Sequence, residues 1–140
     1  MSIEAFIWPF ENGEPASLEF AAVLKSFGDA ALDWDAEHGR LPLQFGGPPN
    51  VCDVFCDKDA AETGRVRSLM ISRPIRDAAL WQAVLGIMAG GHCVLFFSDD
   101  TTPLFRDLQS VRHFPADLIA SLGTPVCVQT PEDIIVSRER

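Results

Sequence analysis

The chain of 140 residues is 47% hydrophobic and 22% charged, with a formal net charge of −9 at pH 7. That size suits a single globular domain spanning residues 1–140, one that buries roughly 68% of its unfolded surface without metals or crosslinks. The composition excludes a disordered chain, and the acid excess argues against nucleic-acid binding, which needs clustered Lys and Arg.

Residues 2–9 read as a first strand, ended by Pro9. Ser17 is placed to cap a helix over 18–27, with Gly28 in its C-terminal cap position and Leu18, Ala21, Ala22 and Leu24 near one face. Residues 29–50 are the least regular stretch and close on the turn Gly46-Gly47-Pro48-Pro49-Asn50. Residues 51–55 and 65–72 read as two strands of a hairpin, with the polar segment 57–64 as its loop. Pro74 forces Arg73 away from helical angles, so a turn is expected there. Asp77 is a natural cap for a helix over 78–89, which is apolar nearly all round and therefore buried.

Residues 93–97, Cys-Val-Leu-Phe-Phe, make the clearest strand. Strand, helix and strand within this distance predict a right-handed parallel crossover. Residues 98–103 form a turn, and 104–112 read ambiguously, with a short return strand as one solution. Pro115 suits the first turn of a helix over 116–122 that Gly123 stops. Residues 125–129 read as a last strand, and Pro131 opens a short helical turn. The expected fold is α+β: a mixed β-sheet packed by about three helices, with one strand–helix–strand crossover.

Residues 78–97 carry no charge and are long enough to span a bilayer, and Gly86 and Gly90 have the spacing that packs membrane helices. The Gly90-Gly91 pair and the polar Gln82 and His92 favour a buried helix followed by a buried strand instead. The first ten residues lack a basic region and meet an acid at Glu4, so no export signal is read and a cytoplasmic protein is expected.

Four tests for chemistry come back weak. Cys52, Cys56, Cys93 and Cys127 lack the paired knuckles of a structural zinc site, and adding His92, His38 or His113 supplies no second pair. Without an export signal they read as free buried thiols, and Cys52 and Cys56 on one strand face are too far apart to bond. His92 and Cys93 are neighbours on a strand and point to opposite faces, and the acids around Cys56 raise its pKa, which blunts it as a nucleophile. The close acid pairs Asp33/Asp35, Asp57/Asp59 and Asp99/Asp100 are common in turns, and none shows one acid set apart in an apolar pocket. Neither glycine pair belongs to a phosphate loop. No cofactor and no metal is expected. His113 reads as a surface or hydrogen-bonded residue ahead of a helix rather than a base, and Arg73 and Arg76 read as partners for the acidic half, with anion binding as the alternative.

The charge distribution says more. Residues 1–64 hold twelve acids against three bases, whereas residues 65–140 hold eight of each. With only Lys25 and Lys58 as lysines, the basic groups are nearly all arginine, which favours fixed, planar ion pairs. An acidic half beside a balanced half either meets a basic partner or keeps a small domain soluble. The candidate partner-binding patch is Asp29, Asp33, Trp34, Asp35 and Glu37, joined by Asp53, Asp57, Asp59 and Glu62 if the hairpin packs alongside. A tryptophan among acids has the make-up of an interface anchor with a charged rim. The competing reading makes Trp34 a core residue.

The second half carries a spaced pattern: Ile71-Ser72-Arg73-Pro74, Asp77, Leu80-Trp81, the glycine turn before Cys93-Val-Leu-Phe-Phe, Phe114-Pro115-x-Asp117 and Leu122-Gly123-x-Pro125. With the size and acidity, it resembles the small cytoplasmic immunity proteins of bacterial toxin systems. The resemblance implies a non-enzymatic protein that covers the basic cleft of a cognate toxin. Its rivals are a small enzyme or ligand-binding domain with a site near Ser98, Asp99 and Asp100, drawing on His92, His113 and Arg73, and an adaptor subunit of a larger assembly.

Overall fold

Apolar alternation starts at the first strand. In a computed structural model that describes residues 3–46 and 50–138, β1 (Glu4–Glu11) buries Ala5 and Ile7 completely and turns Phe6 and Trp8 to the opposite face. The strand runs through Pro9, which the sequence reading took as its end. The carbonyl of Pro9 accepts from Ala16 N–H at 3.0 Å. A strand residue's N and C=O share a side, so the donor that proline lacks falls where the flanking strand has already stopped. Asn12 and Gly13, both at positive φ, then turn the chain into β2 (Glu14–Pro15).

Ser17 is not a helix cap. Its hydroxyl accepts from Arg65 Nε at 2.9 Å, and β3 (Leu18–Glu19) pairs with β6 (Arg65–Val66) in a separate two-stranded ladder. Helix α1 (Phe20–Phe27) begins after it and buries Phe20, Val23 and Phe27, a different face from the one expected. Gly28 ends it as anticipated, at φ 57°.

A 3-10 turn (Gly28–Ala30) leads to a strand the sequence reading missed, β4 (Arg40–Gln44). It pairs with β5 (Val51–Phe55), the short helix α2 (Ala60–Thr63) follows, and β7 (Leu69–Ser72) returns against β5. The single strand expected over 65–72 is thus two. Val66 and Leu69 are both buried, an odd spacing that a continuous strand cannot send to one face, so the chain slips phase at Arg67 and Ser68. Residues 47–49 of the expected Gly-Pro turn, and Ser2 at the expected start of the first strand, lie outside the described residues.

Helix α3 (Ala78–Met88) is capped by Asp77, whose carboxylate accepts from Ala79 N–H at 2.8 Å, and it buries seven residues. No helix among the described residues is long and apolar enough to cross a membrane. β8 (His92–Phe97), β9 (Leu104–Phe105), a 3-10 turn (Leu108–His113), α4 (Ala116–Leu122), β10 (Val126–Cys127) and α5 (Pro131–Arg138) complete the chain. Gly123 stops α4 as expected. The last strand is shorter than its sequence suggested, and the helical turn after it is a full helix.

The fold is α+β. The main sheet has the order β10-β9-β8-β1-β7-β5-β4, with β2 beside β1. Among the described residues only β9 and β10 are parallel neighbours. β7 and β8 each pair antiparallel with β1, so they run parallel to one another with β1 between them. The expected crossover through α3 exists in this split form. The helices α1, α3 and α5 share one hydrophobic core with the inward face of the sheet (Ala5, Ile7, Leu41, Val54, Ile71, Leu95). A smaller cluster of Phe10, Val94, Phe96, Phe105 and Phe114 packs on the other face under α4 and the 3-10 turn before it.

Candidate interaction surface

Residues 35–39 form a tight turn. Asp35 and Arg40 exchange backbone hydrogen bonds at 2.9 and 3.1 Å. Within it His38 meets Asp35 at 2.8 Å, and that hydrogen bond holds the Asp35 carboxyl below its ordinary range. Cys56 N–H donates to Gly39 O at 2.9 Å, and a Cβ at Gly39 would lie 2.5 Å from Cys56 O. This close approach is possible only because position 39 is glycine, here at φ +64°. It sets Asp35 and Glu37 beside Asp57, Lys58 and Asp59, where β4 begins and β5 ends, and Glu62 follows on α2.

The remaining expected residues are arranged differently. Asp29 lies towards the far end of β4, in a groove it shares with Leu32, Gln44 and Phe45. Asp33 is exposed, just beyond Leu32, whose N–H donates to Pro42 O on the outer edge of β4. Asp53 sits inside the sheet and accepts from Arg40 Nε at 3.0 Å, and Asp57 accepts from Arg67 Nε at 3.0 Å. These pairs are partly exposed and worth about 0–1 kcal/mol each, but they remove charge from the acidic patch. Trp34 is half-buried and packs edge-on against Phe20 with ring centroids 5.0 Å apart. Its indole N–H is buried without a hydrogen-bond partner. It is a packing residue at the core margin, not a projecting anchor.

Sequence reasoning did not single out the uncovered half of the sheet. Cross-strand register places Phe96, Phe6, Met70, Phe55 and Arg40 in one row across β8, β1, β7, β5 and β4. Phe6 stacks on Phe96 at 5.1 Å, and Trp8 meets Phe96 edge-on at 4.7 Å. Phe96 is buried, while Phe6, Met70 and Phe55 are only half-buried. Between β4, β5 and β7 this face hollows into a groove of about 580 Å³, lined among others by Arg40, Pro42, Asp53, Phe55, Ser72 and Arg73. The signal in the sequence was the set of large or polar residues at alternate positions, such as Phe6, Trp8, Phe55, Met70 and Phe96, which reads as a second face only once the register is known.

Asp35, Glu37 and His38 could contribute ligand atoms to a metal ion, since these atoms lie within 4.8 Å of one another. His38 Nδ1 is already engaged by Asp35, and two of the three residues are exposed, so the set is better described as the hydrogen-bonded turn itself. The four cysteines are free. Burial pushes the Cys52 and Cys56 thiols up to about 11 and that of Cys93 to about 12. Cys127 is exposed and Cys56 only half-buried, contrary to the expectation that all four are buried.

His92 and His113 do come together, as parallel rings 3.7 Å apart. His92 Nδ1 pairs with Ser110 Oγ at 3.0 Å, and His113 Nδ1 accepts from Asn12 N–H at 3.1 Å. Arg73 and Asp99 follow the C-terminal ends of the parallel strands β7 and β8, away from His92 at the start of β8, so the four groups form no common pocket. Ser110 is 3% exposed, and its hydroxyl is engaged by His92. No protein-family model matches the chain, and no curated protein or solved structure matches it.

Proposed function

We propose that the protein is a non-catalytic protein-binding module, an immunity or inhibitor protein that covers the basic cleft of a bacterial toxin. A cytoplasmic location goes with that reading. The observation that carries it is the docking of the 35–39 turn onto the 56–59 loop, which brings Asp35 and Glu37 to the same end of the half-open sheet face as Asp59, with Asp57 beside them already paired to Arg67. An apolar ladder bordered by acids suits a partner with an apolar patch bordered by bases. The acids speed encounter, and the Phe6–Met70–Phe55 row supplies the area to be desolvated.

Affinity capture of the tagged protein from its source cells, washed at low and at high salt, tests the reading. One stoichiometric basic protein, weakened at high salt, is the expected result. Glu37→Lys with Asp59→Lys should then slow association about tenfold or more, since both side chains are exposed and neither makes an ion pair among the described residues. Capture that yields no partner under either wash refutes the proposal.

A further inference from the structure

Asn12 and Gly13, the positive-φ pair at the tip of the β1–β2 hairpin, are tied by a single residue to the 3-10 turn before α4. Gly13 N–H donates to His113 O at 2.9 Å, and Asn12 N–H donates to His113 Nδ1 at 3.1 Å. A backbone amide can only donate, so the second bond fixes the state of the ring. Nδ1 keeps its lone pair, and the one proton of the neutral imidazole sits on Nε2. A further proton would have to join Nδ1, where it faces the Asn12 N–H head-on. His113 therefore holds the hairpin tip only while it is neutral.

The neighbouring ring acts in the same direction. His92, on β8, lies parallel to His113 with ring centroids 3.7 Å apart. Its Nδ1 meets Ser110 Oγ at 3.0 Å, and a hydroxyl can donate or accept, so that contact suits His92 with or without a charge. Two charges in one stack repel. The other charged groups acting on His113 among the described residues are Arg112, from its own turn, and Glu11, from the end of β1. Burial, His92 and Arg112 disfavour a proton on His113, and Glu11, the one group that favours it, is the weakest of the four. The next residue, Phe114, is buried and meets Phe10 of β1 edge-on at 6.2 Å, so the turn that holds the hairpin tip also carries an aromatic contact with the same strand.

We propose that His113 is an acid-released latch: a proton taken up from water at Nδ1 breaks the Asn12 bond, turns the ring out of its stack with His92 and frees the hairpin tip from the 3-10 turn. No covalent bond changes. The released ring titrates at the ordinary value of 6.5, whereas the latched ring resists the proton. The latch is therefore complete above that pH and opens as the pH falls below it, by up to about tenfold for each unit. It is separate from the proposed partner-binding surface, whose acids lie at β4, β5 and α2, and stands or falls by itself.

Amide hydrogen exchange of the unaltered protein, followed by NMR and corrected for the intrinsic rate at each pH, tests it. Protection of Asn12 and Gly13 should fall about fivefold or more from about pH 7.5 to about pH 5. That of Ile7, buried in the middle of β1, should hold constant. His113→Asn places a carboxamide oxygen where Nδ1 stood and has nothing to protonate, so its Asn12 and Gly13 should stay protected across the range. The ring nitrogens of the unaltered protein give a second readout: at the upper pH, His113 should carry its proton on Nε2. Constant protection of Asn12 and Gly13 in the unaltered protein overturns the proposal. So does a fall shared equally by Ile7, which marks global unfolding, or an equal fall in His113→Asn, which assigns the effect to another group. A His113 proton found on Nδ1 at the upper pH overturns it without any variant.

Discussion

Gly39→Ala perturbs the one contact that assembles the acidic end of the sheet. Two costs combine. A side chain at φ +64° costs about 1–2 kcal/mol relative to glycine. The new Cβ would also lie 2.5 Å from Cys56 O, and a backbone oxygen cannot move aside as a flexible side-chain end can. The turn must lift from the loop, stretching the Cys56 N–H to Gly39 O bond of 2.9 Å and forfeiting about 1 kcal/mol more. The expected loss is about 2–3 kcal/mol, a fall in Tm on the order of 6–12 °C for a domain of this size. Gly64→Ala is the control. Gly64 has φ +74° with nothing within 4 Å of its Cβ position, so it carries the strain without the overlap and should lose only about 1–2 kcal/mol. Urea denaturation of both variants beside the parent measures the difference. If Gly39→Ala costs no more than Gly64→Ala, the turn and the loop are not in the contact described, and the grouping of Asp35 and Glu37 with Asp57 and Asp59 fails with it.

Three further outcomes follow from the structure. Asp77→Ala removes the cap from Ala79 N–H at the start of α3 and should cost about 1 kcal/mol, read by chemical denaturation; no change would mean that the cap is solvated rather than bonded. Burial, then the neighbouring His92 and Arg112, holds His113 below its ordinary pKa of 6.5. The contribution of His113 to stability is therefore complete above that value and is lost as the pH falls below it. An NMR titration that places His113 at or above the ordinary value refutes the stacked, Asn12-bonded geometry. Thiol labelling of the native protein should modify Cys127 first, with Cys52 and Cys93 reacting only on unfolding, because these two are buried and their thiols are pushed up.

Where a local signal had a local partner, it was legible in the sequence. Asp77 bonds two residues ahead, Gly28 and Gly123 close the helices they follow, and the all-apolar run before Gly90 is a buried helix beside a buried strand. Signals that depended on distant chain were not. Ser17 has the identity of a cap, but Arg65, 48 residues away, takes its hydroxyl. Arg40-Leu-Pro-Leu-Gln alternates correctly, yet Pro42 hid the strand. It is tolerated because its carbonyl, and so its missing donor, points to the outer edge, where Leu32 N–H bonds at 2.9 Å. Asn12-Gly13 is a strong hairpin signal that the reading passed over. The acidic patch was legible as composition, but not its division. Asp53 and Asp57 are paired with arginines contributed by β4 and by the phase slip before β7. Asp29 is set apart by the length of β4, and Trp34 is drawn against Phe20.

The position of β1 also governs the order in which the protein can be made. Its two long-range neighbours, β7 and β8, end at Ser72 and Phe97, so a segment complete by Glu11 has no sheet to join until most of the chain exists. At typical translation rates the wait is roughly 4–17 s. Until β7 is made, Phe6 and Trp8 lack their long-range strand partners, and Phe96 arrives only with β8, so this is the kind of surface that aggregates or recruits a chaperone. The ribosome delivers the keystone of this sheet first and the stones on either side of it last, which makes folding a late, collective event rather than a vectorial one.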